Sequence, residues 1–143
     1  VGTDGSESSF RAVDRAAEVA ADAGGRLVIV CAYRPMHERD RAKAAGELGD
    51  LAYKVAGAHP AEDIVGDAAI RAGKAGVAEV VPRVVEGDPS DVLMDEIGRN
   101  RADLVVIGNR GLNSLAGRLL GSVPQTVMHR SHVDVLVVHT TGR

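Results

Sequence analysis

Apolar residues fall along this chain in two patterns, short unbroken runs and helical stripes, and the two alternate. The run Leu27-Val28-Ile29-Val30-Cys31-Ala32, inside Arg26 to Tyr33, has no polar alternation and predicts a strand buried on both faces. Leu104-Val105-Val106-Ile107 predicts a second such strand that stops at Gly108. Val77 to Val85 is rich in β-branched residues but holds Pro82, whose missing N–H places this strand nearer an edge than the centre. Val133 to His139 predicts a last strand, with Val133, Val135 and Val137 on one face and Leu136 and Val138 on the other. Val1-Gly2-Thr3 reads as the tail of a strand whose first residues lie upstream.

Helical stripes fill the gaps. Phe10, Val13, Ala16, Ala17 and Ala20 share one face, and Gly24-Gly25 ends that helix. Pro60, followed by Glu62 and Asp63, predicts a helix start, with Ile64, Ala68, Ile70 and Ala75 toward the sheet. Asp88-Pro89 opens another helix, Asp as N-cap and Pro at the first helical position, and a fourth runs from about Val123 to Arg130. Residues 34–59 are polar with patchy periodicity and read as loop and weak helix. The order β-α-β-α-β-α-β-α-β predicts an α/β fold, a single doubly wound five-stranded parallel sheet with helices on both faces, Rossmann-like, with ligands at the carboxyl ends of the strands.

Composition narrows the partners. At 143 residues the chain fits one domain, 1–143. A net charge of −3 and an aromatic content of 2% leave neither a broad basic surface nor a base-stacking platform, so no nucleic-acid partner is expected. No apolar run approaches the ~20 residues that span a bilayer, and the opening residues do not resemble a signal peptide, so no membrane association is expected. The lone cysteine, Cys31, has no intramolecular disulfide partner and fits a reducing cytoplasm, where the protein is placed. His37, His59, His129, His132 and His139 lack ligand spacing, so no metal site is expected from them.

The candidate chemistry lies between Gly108 and Ser122, which reads G-x2-G-x9-G-S between a buried strand and a helix. Glycines at a strand exit allow a tight turn and let amides approach an anion without an intervening Cβ. Ser122, with Gln125 three positions on and Pro124 in the first turn, forms a capping-box pattern. Gly121-Ser122 would therefore offer amides, a hydroxyl and the positive end of a helix dipole to a phosphate. Gly108 and Gly111 could also be mere turn glycines, and Arg110 and Arg118 either neutralise phosphates or are simply solvated. Asp4 could cap the first helix. Cys31, in a buried strand, reads as a packing residue.

Three features together, G-x2-G-x9-G-S, the start Gly2-Thr3-Asp4-Gly5-Ser6 and the ending Val135-Leu136-Val137-Val138, resemble the nucleotide-binding branch of the universal stress protein family, and Gly108 to His139 is especially similar to actinobacterial members. The resemblance covers essentially the whole chain and implies an adenine nucleotide alpha-hydrolase-like fold that binds ATP or cyclic AMP, with Mg possible alongside ATP. It places Thr3, Asp4 and Gly5 near the nucleoside, Ala32 where a backbone edge pairs with adenine, and Gly108, Asn109, Arg110 and Gly111 around ribose and phosphates. Gly121, Ser122 and Val123 match the phosphate-binding helix start, and Gly87 would border the pocket. It also implies a homodimer through Val133 to His139, which would cover an exposed Val-rich edge.

The expected function is a regulatory or stress-response module that holds an adenine nucleotide. A slow ATPase or nucleotide-dependent enzyme is the alternative, but only Asp4 and uncertain arginines are available for phosphoryl transfer, the loop has no Walker-type lysine, and no catalytic residue is assigned. A third reading, an interaction protein with a vestigial loop, conflicts with the intact glycine spacing.

Overall fold

The computed structural model describes residues 1–35, 37, 39, 40, 42, 43, 46, 59–110 and 120–140. Most of the loop-and-weak-helix reading of 34–59 therefore lies outside the described residues. Four helices, α1 (Glu7–Asp22), α2 (His59–Lys74), α3 (Pro89–Asn100) and α4 (Ser122–Arg130), alternate with four strands, β1 (Arg26–Tyr33), β2 (Glu79–Glu86), β3 (Leu104–Gly108) and β4 (Asp134–Val138). All described pairings are parallel. β1 pairs with β2, and β3 with β4. The opening segment, expected as a fifth strand, runs beside β1 as a single parallel bridge: Gly2 bridges Val30, the Val1 nitrogen donates to the Val28 carbonyl at 2.8 Å, and the Thr3 amide to the Val30 carbonyl at 2.9 Å.

The unbroken apolar runs are explained by two cores, one on each face. Leu27, Ile29 and Cys31 of β1 and Val106 of β3 pack with Val13, Ala16 and Ala17 of α1 and Ala61, Val65 and Ala68 of α2. The intervening Val30, Val105 and Ile107 turn the other way, onto Val92, Leu93 and Ile97 of α3 and Val127 of α4. Helices thus cover both faces of a doubly wound sheet, and every side chain of a central strand is apolar because both directions lead inward. The face assignment for the last strand holds as well, with Leu136 and Val138 on the first core and Val133, Val135 and Val137 on the second.

Helix ends follow the local chemistry. α1 is capped by Ser6, whose hydroxyl accepts from the Ser9 amide at 3.0 Å, and Gly24 takes φ 62° just beyond its last turn. α3 is capped by Asp88, which accepts from the Ser90 amide at 3.0 Å, an arrangement worth about 1 kcal/mol. Three expectations are corrected. Ile70 is 58% exposed, because the buried stripe of α2 is Ala61, Val65, Ala68 and Ala72, and position 70 lies off that 3.6-residue period. Ala75 is exposed too, because α2 ends at Lys74 and the chain turns away before it. Val77 precedes β2 and belongs to the core, and the strand itself begins at Glu79. β2 is paired on one side only among the described residues, as Pro82 suggested, with Ile29 standing opposite that proline.

Candidate functional site

A cleft of about 420 Å³ opens at the carboxyl ends of the strands, where each strand hands over to its helix. Thr3 and Asp4 follow the opening bridge at Gly2, Ala32 and Tyr33 end β1, and Ile107 and Gly108 end β3, and all of these line it. The walls come from three helix starts: Pro60 and Ile64 of α2, Pro89 and Leu93 of α3, and Ser122, Val123 and Pro124 of α4. Amino-terminal turns of helices therefore surround the opening, which favours negative charge in it.

Of the residues expected from the sequence, Thr3, Asp4, Ala32, Gly108, Arg110, Gly121, Ser122 and Val123 come together around this cleft. Gly111 lies outside the described residues. Gly5 does not line the cleft. It takes φ 81°, and a Cβ there would stand 2.7 Å from Cδ1 of Ile64, so it serves the turn and a close approach to α2. Gly87 borders a neighbouring cleft that shares Ala32, Tyr33, Pro89, Ser122 and Val123 with the first. Asn109 stands behind the lining: its amide donates to Val138, its carbonyl accepts from Gly121, and its side-chain oxygen accepts from both the amide and the hydroxyl of Thr140, at 2.8 Å each.

Two local readings change. Asp4 does not cap α1; its Oδ1 accepts from the amide and hydroxyl of Ser6, at 3.0 and 2.6 Å, and so holds the residue that does. The capping box at α4 does not form. Gly121 is the N-cap, Ser122 is already in the helix, and no side chain caps the first turn. The Gly121 amide is also committed to the Asn109 carbonyl at 2.9 Å, which leaves the anion-facing role to the groups further into the helix.

Asp4 and Arg110 are the charged side chains among the described lining residues. The Nε of Arg110 is buried and has no hydrogen-bonding partner among the described residues. A buried N–H of a cation without an acceptor is costly, so this group is suited to a ligand oxygen. Cys31 also lines the cleft, and burial, with the charge of Asp4 adding to it, pushes its thiol up to about 11. The thiol is therefore protonated at neutral pH and adds a small, weakly polar surface to the wall. Among the described residues, no group of three His, Cys, Asp or Glu side chains could hold a metal ion, and no helix is long and apolar enough to cross a membrane.

The sequence reading missed Pro60, Ile64, Pro89, Leu93, Tyr33 and the pocket role of Cys31. The signal was present for the two prolines: each was read as a helix start after a strand or loop, and helix starts in a doubly wound sheet lie at the ligand end. Ile64 is legible only as a sheet-facing position, since one turn of helix separates packing from lining, and Leu93 has no signal of its own beyond the helix that Asp88-Pro89 opens.

Comparison with known proteins agrees with this architecture. The universal stress protein family matches residues 1–139. A universal stress protein of Mycobacterium tuberculosis is 52% identical over 141 residues, 99% of this chain and 94% of that protein. The crystal structure of a universal stress protein in complex with cAMP superposes with a TM-score of 0.74 at 42% identity, covering 99% of this chain and 94% of the other. Universal stress protein UspA from Lactobacillus plantarum, at 20% identity, shares the fold with a TM-score of 0.78 over 97% of this chain and 94% of its own. The chain, its doubly wound sheet and its glycine-spaced loop belong to the universal stress protein family.

Proposed function

We propose that the cleft binds an adenine nucleotide, ATP or cyclic AMP, and that the protein acts as a nucleotide-binding regulatory module of the stress response. The observation that carries this reading is the buried Nε of Arg110, without a partner among the described residues, in a cleft ringed by helix starts. The complex of the 42%-identical relative with cAMP supports the same ligand class. In this reading the base lies against the apolar wall of Ile64 and Leu93 and meets the Ala32 backbone, with Asp4 beside the ribose. Gly108, Arg110, Gly111, Ser122 and Val123 surround phosphate. Thr3, Gly5, Asn109 and Gly121 hold these groups in place. Mg would accompany ATP, and Asp4 is the carboxylate nearest to hand.

The same reading includes a homodimer through Val133 to His139, since β4 pairs with β3 on one edge and its Val-rich other edge needs cover. Sedimentation at micromolar concentration tests this, and a monomer would remove it.

Calorimetric titration with cyclic AMP and, separately, with ATP plus magnesium tests the nucleotide, with Gly121→Val as the blocked control. Saturable heat that the variant loses is the expected result. Tighter cyclic AMP makes the protein a second-messenger binder, tighter ATP an ATP-responsive module, and heat from neither overturns the assignment. Release of phosphate from ATP in the same samples would instead bring forward the slow-ATPase reading.

A further inference from the structure

Asn109 is the point where the elements around the cleft are joined. Its amide extends the β3–β4 ladder to Val138, its carbonyl holds the N-cap of α4 through Gly121, and its side-chain oxygen takes two hydrogen bonds from Thr140. Thr140 is 3% exposed and does not line the cleft. Its hydroxyl also meets that of Ser8 from α1, and the Ser8 hydroxyl donates to the Arg110 carbonyl at 3.1 Å. Its own carbonyl accepts from Arg11 at 2.9 Å. The methyl of Thr140 packs on the strand exit, where a Cβ on Gly108 would stand 3.3 Å from it. Thr140 and Ser8 carry two protons for these three hydroxyl contacts, so two of the three are made at a time, and the buried Thr140 hydroxyl stands at the junction between Asn109, at the start of α4, and Ser8, beside the backbone that carries the Arg110 guanidinium.

We propose that Thr140 is a positioning residue for the ligand, setting the wall formed by Arg110 and Gly121 and thereby coupling occupancy of the cleft to the seating of the chain beyond β4. The proposal rests on the nucleotide reading above. The physical reason is that, among the described residues, the Asn109 side-chain oxygen takes two hydrogen bonds from Thr140, and the Asn109 backbone has no slack, because both its amide and its carbonyl are engaged. Losing the hydroxyl removes one of the two donors on the Asn109 side-chain oxygen and the contact to Ser8, which loosens the wall, so it must be reordered when the ligand enters. By reciprocity, a ligand that fixes the wall fixes Thr140.

The test is to titrate wild type, Thr140→Val and Thr140→Ser with cyclic AMP and with ATP plus magnesium, and to follow hydrogen exchange of the 134–140 segment with and without nucleotide. Thr140→Val, which keeps the shape but not the hydroxyl, is expected to weaken binding about five- to twentyfold. Thr140→Ser should restore affinity to within about twofold of wild type, which a purely space-filling role would not do, since serine lacks the methyl. Nucleotide should slow exchange across 134–140 in wild type and less so in Thr140→Val. Equal affinity of wild type and Thr140→Val, no recovery in Thr140→Ser, or exchange in wild type indifferent to nucleotide would each overturn the coupling. The wild-type exchange measurement decides the matter even if Thr140→Val does not fold. If wild type itself gives no heat with either nucleotide, it is the ligand reading that has failed, and the coupling falls with it.

Discussion

Arg83 reaches from β2 to Glu96 of α3, its Nε and Nη2 standing 3.1 and 3.2 Å from the two carboxylate oxygens. Glu96 is buried, its side chain 3% exposed, and the Asn100 amide completes its hydrogen bonding at 3.0 Å. The hydrogen bonds from Arg83 outweigh burial and hold the Glu96 carboxyl below its ordinary range.

Stability should therefore depend on Glu96 in acid. The carboxyl is more acidic folded than unfolded, so its contribution is complete above the ordinary glutamate value near 4.5 and is lost as pH falls through the lower folded value. Chemical denaturation from pH 7 to pH 3 should show this fall in wild type and a shallower one in Glu96→Gln. At neutral pH Glu96→Gln should cost about 1–3 kcal/mol, because it weakens charge-assisted bonds at a buried site while half-exposed Arg83 can rehydrate.

Gly5 is held by both conformation and space, with φ 81° and Ile64 at 2.7 Å from the position of a Cβ. Gly5→Ala should destabilise by about 1–3 kcal/mol in thermal denaturation. The close contacts are with Cδ1 and Cγ1 of the Ile64 side chain, which can repack, so the protein should still fold. Because Ile64 also lines the cleft, nucleotide affinity should fall in the same variant.

Arg110→Met should separate binding from folding. The buried Nε has no partner to lose among the described residues, so removing it should leave the melting temperature unchanged or raised, whereas nucleotide affinity should fall about tenfold or more. A loss of stability with intact affinity in calorimetry would reverse the assignment.

Cys31 should be nearly inert in the folded state. With its thiol pushed from 9.0 to about 11, the thiolate fraction at pH 7 falls about a hundredfold, before any allowance for access. Reaction with a disulfide reagent should be slow, should speed up on unfolding, and should be slowed further by a ligand that fills the cleft.

The legibility of this fold in the sequence follows from its two-sided sheet. A strand buried on both faces must be apolar throughout, so Leu27 to Ala32 and Leu104 to Ile107 announced themselves, and Asp88-Pro89 marked its helix start to the residue. Ile70 misled because an apolar residue on a helix near the stripe cannot be told from one in it until the neighbours are placed. Ser122 misled for a related reason: the capping-box spacing was present, but the chain entered the helix one residue earlier, with Gly121 outside it.

By itself the sequence determined the alternation of strands and helices, the burial of both faces of the central strands, and the glycine-spaced loop that marks the family, because these depend on periodicity, backbone freedom and short-range capping. Only the tertiary structure decided which helix starts ring the cleft, that Gly5 answers to Ile64, that Asn109 works from behind the lining, and that Arg110 carries a buried N–H without an acceptor among the described residues. Those facts depend on residues as far apart as Ser8 and Thr140 meeting in space, and no local spacing encodes which distant partner a buried polar group will find.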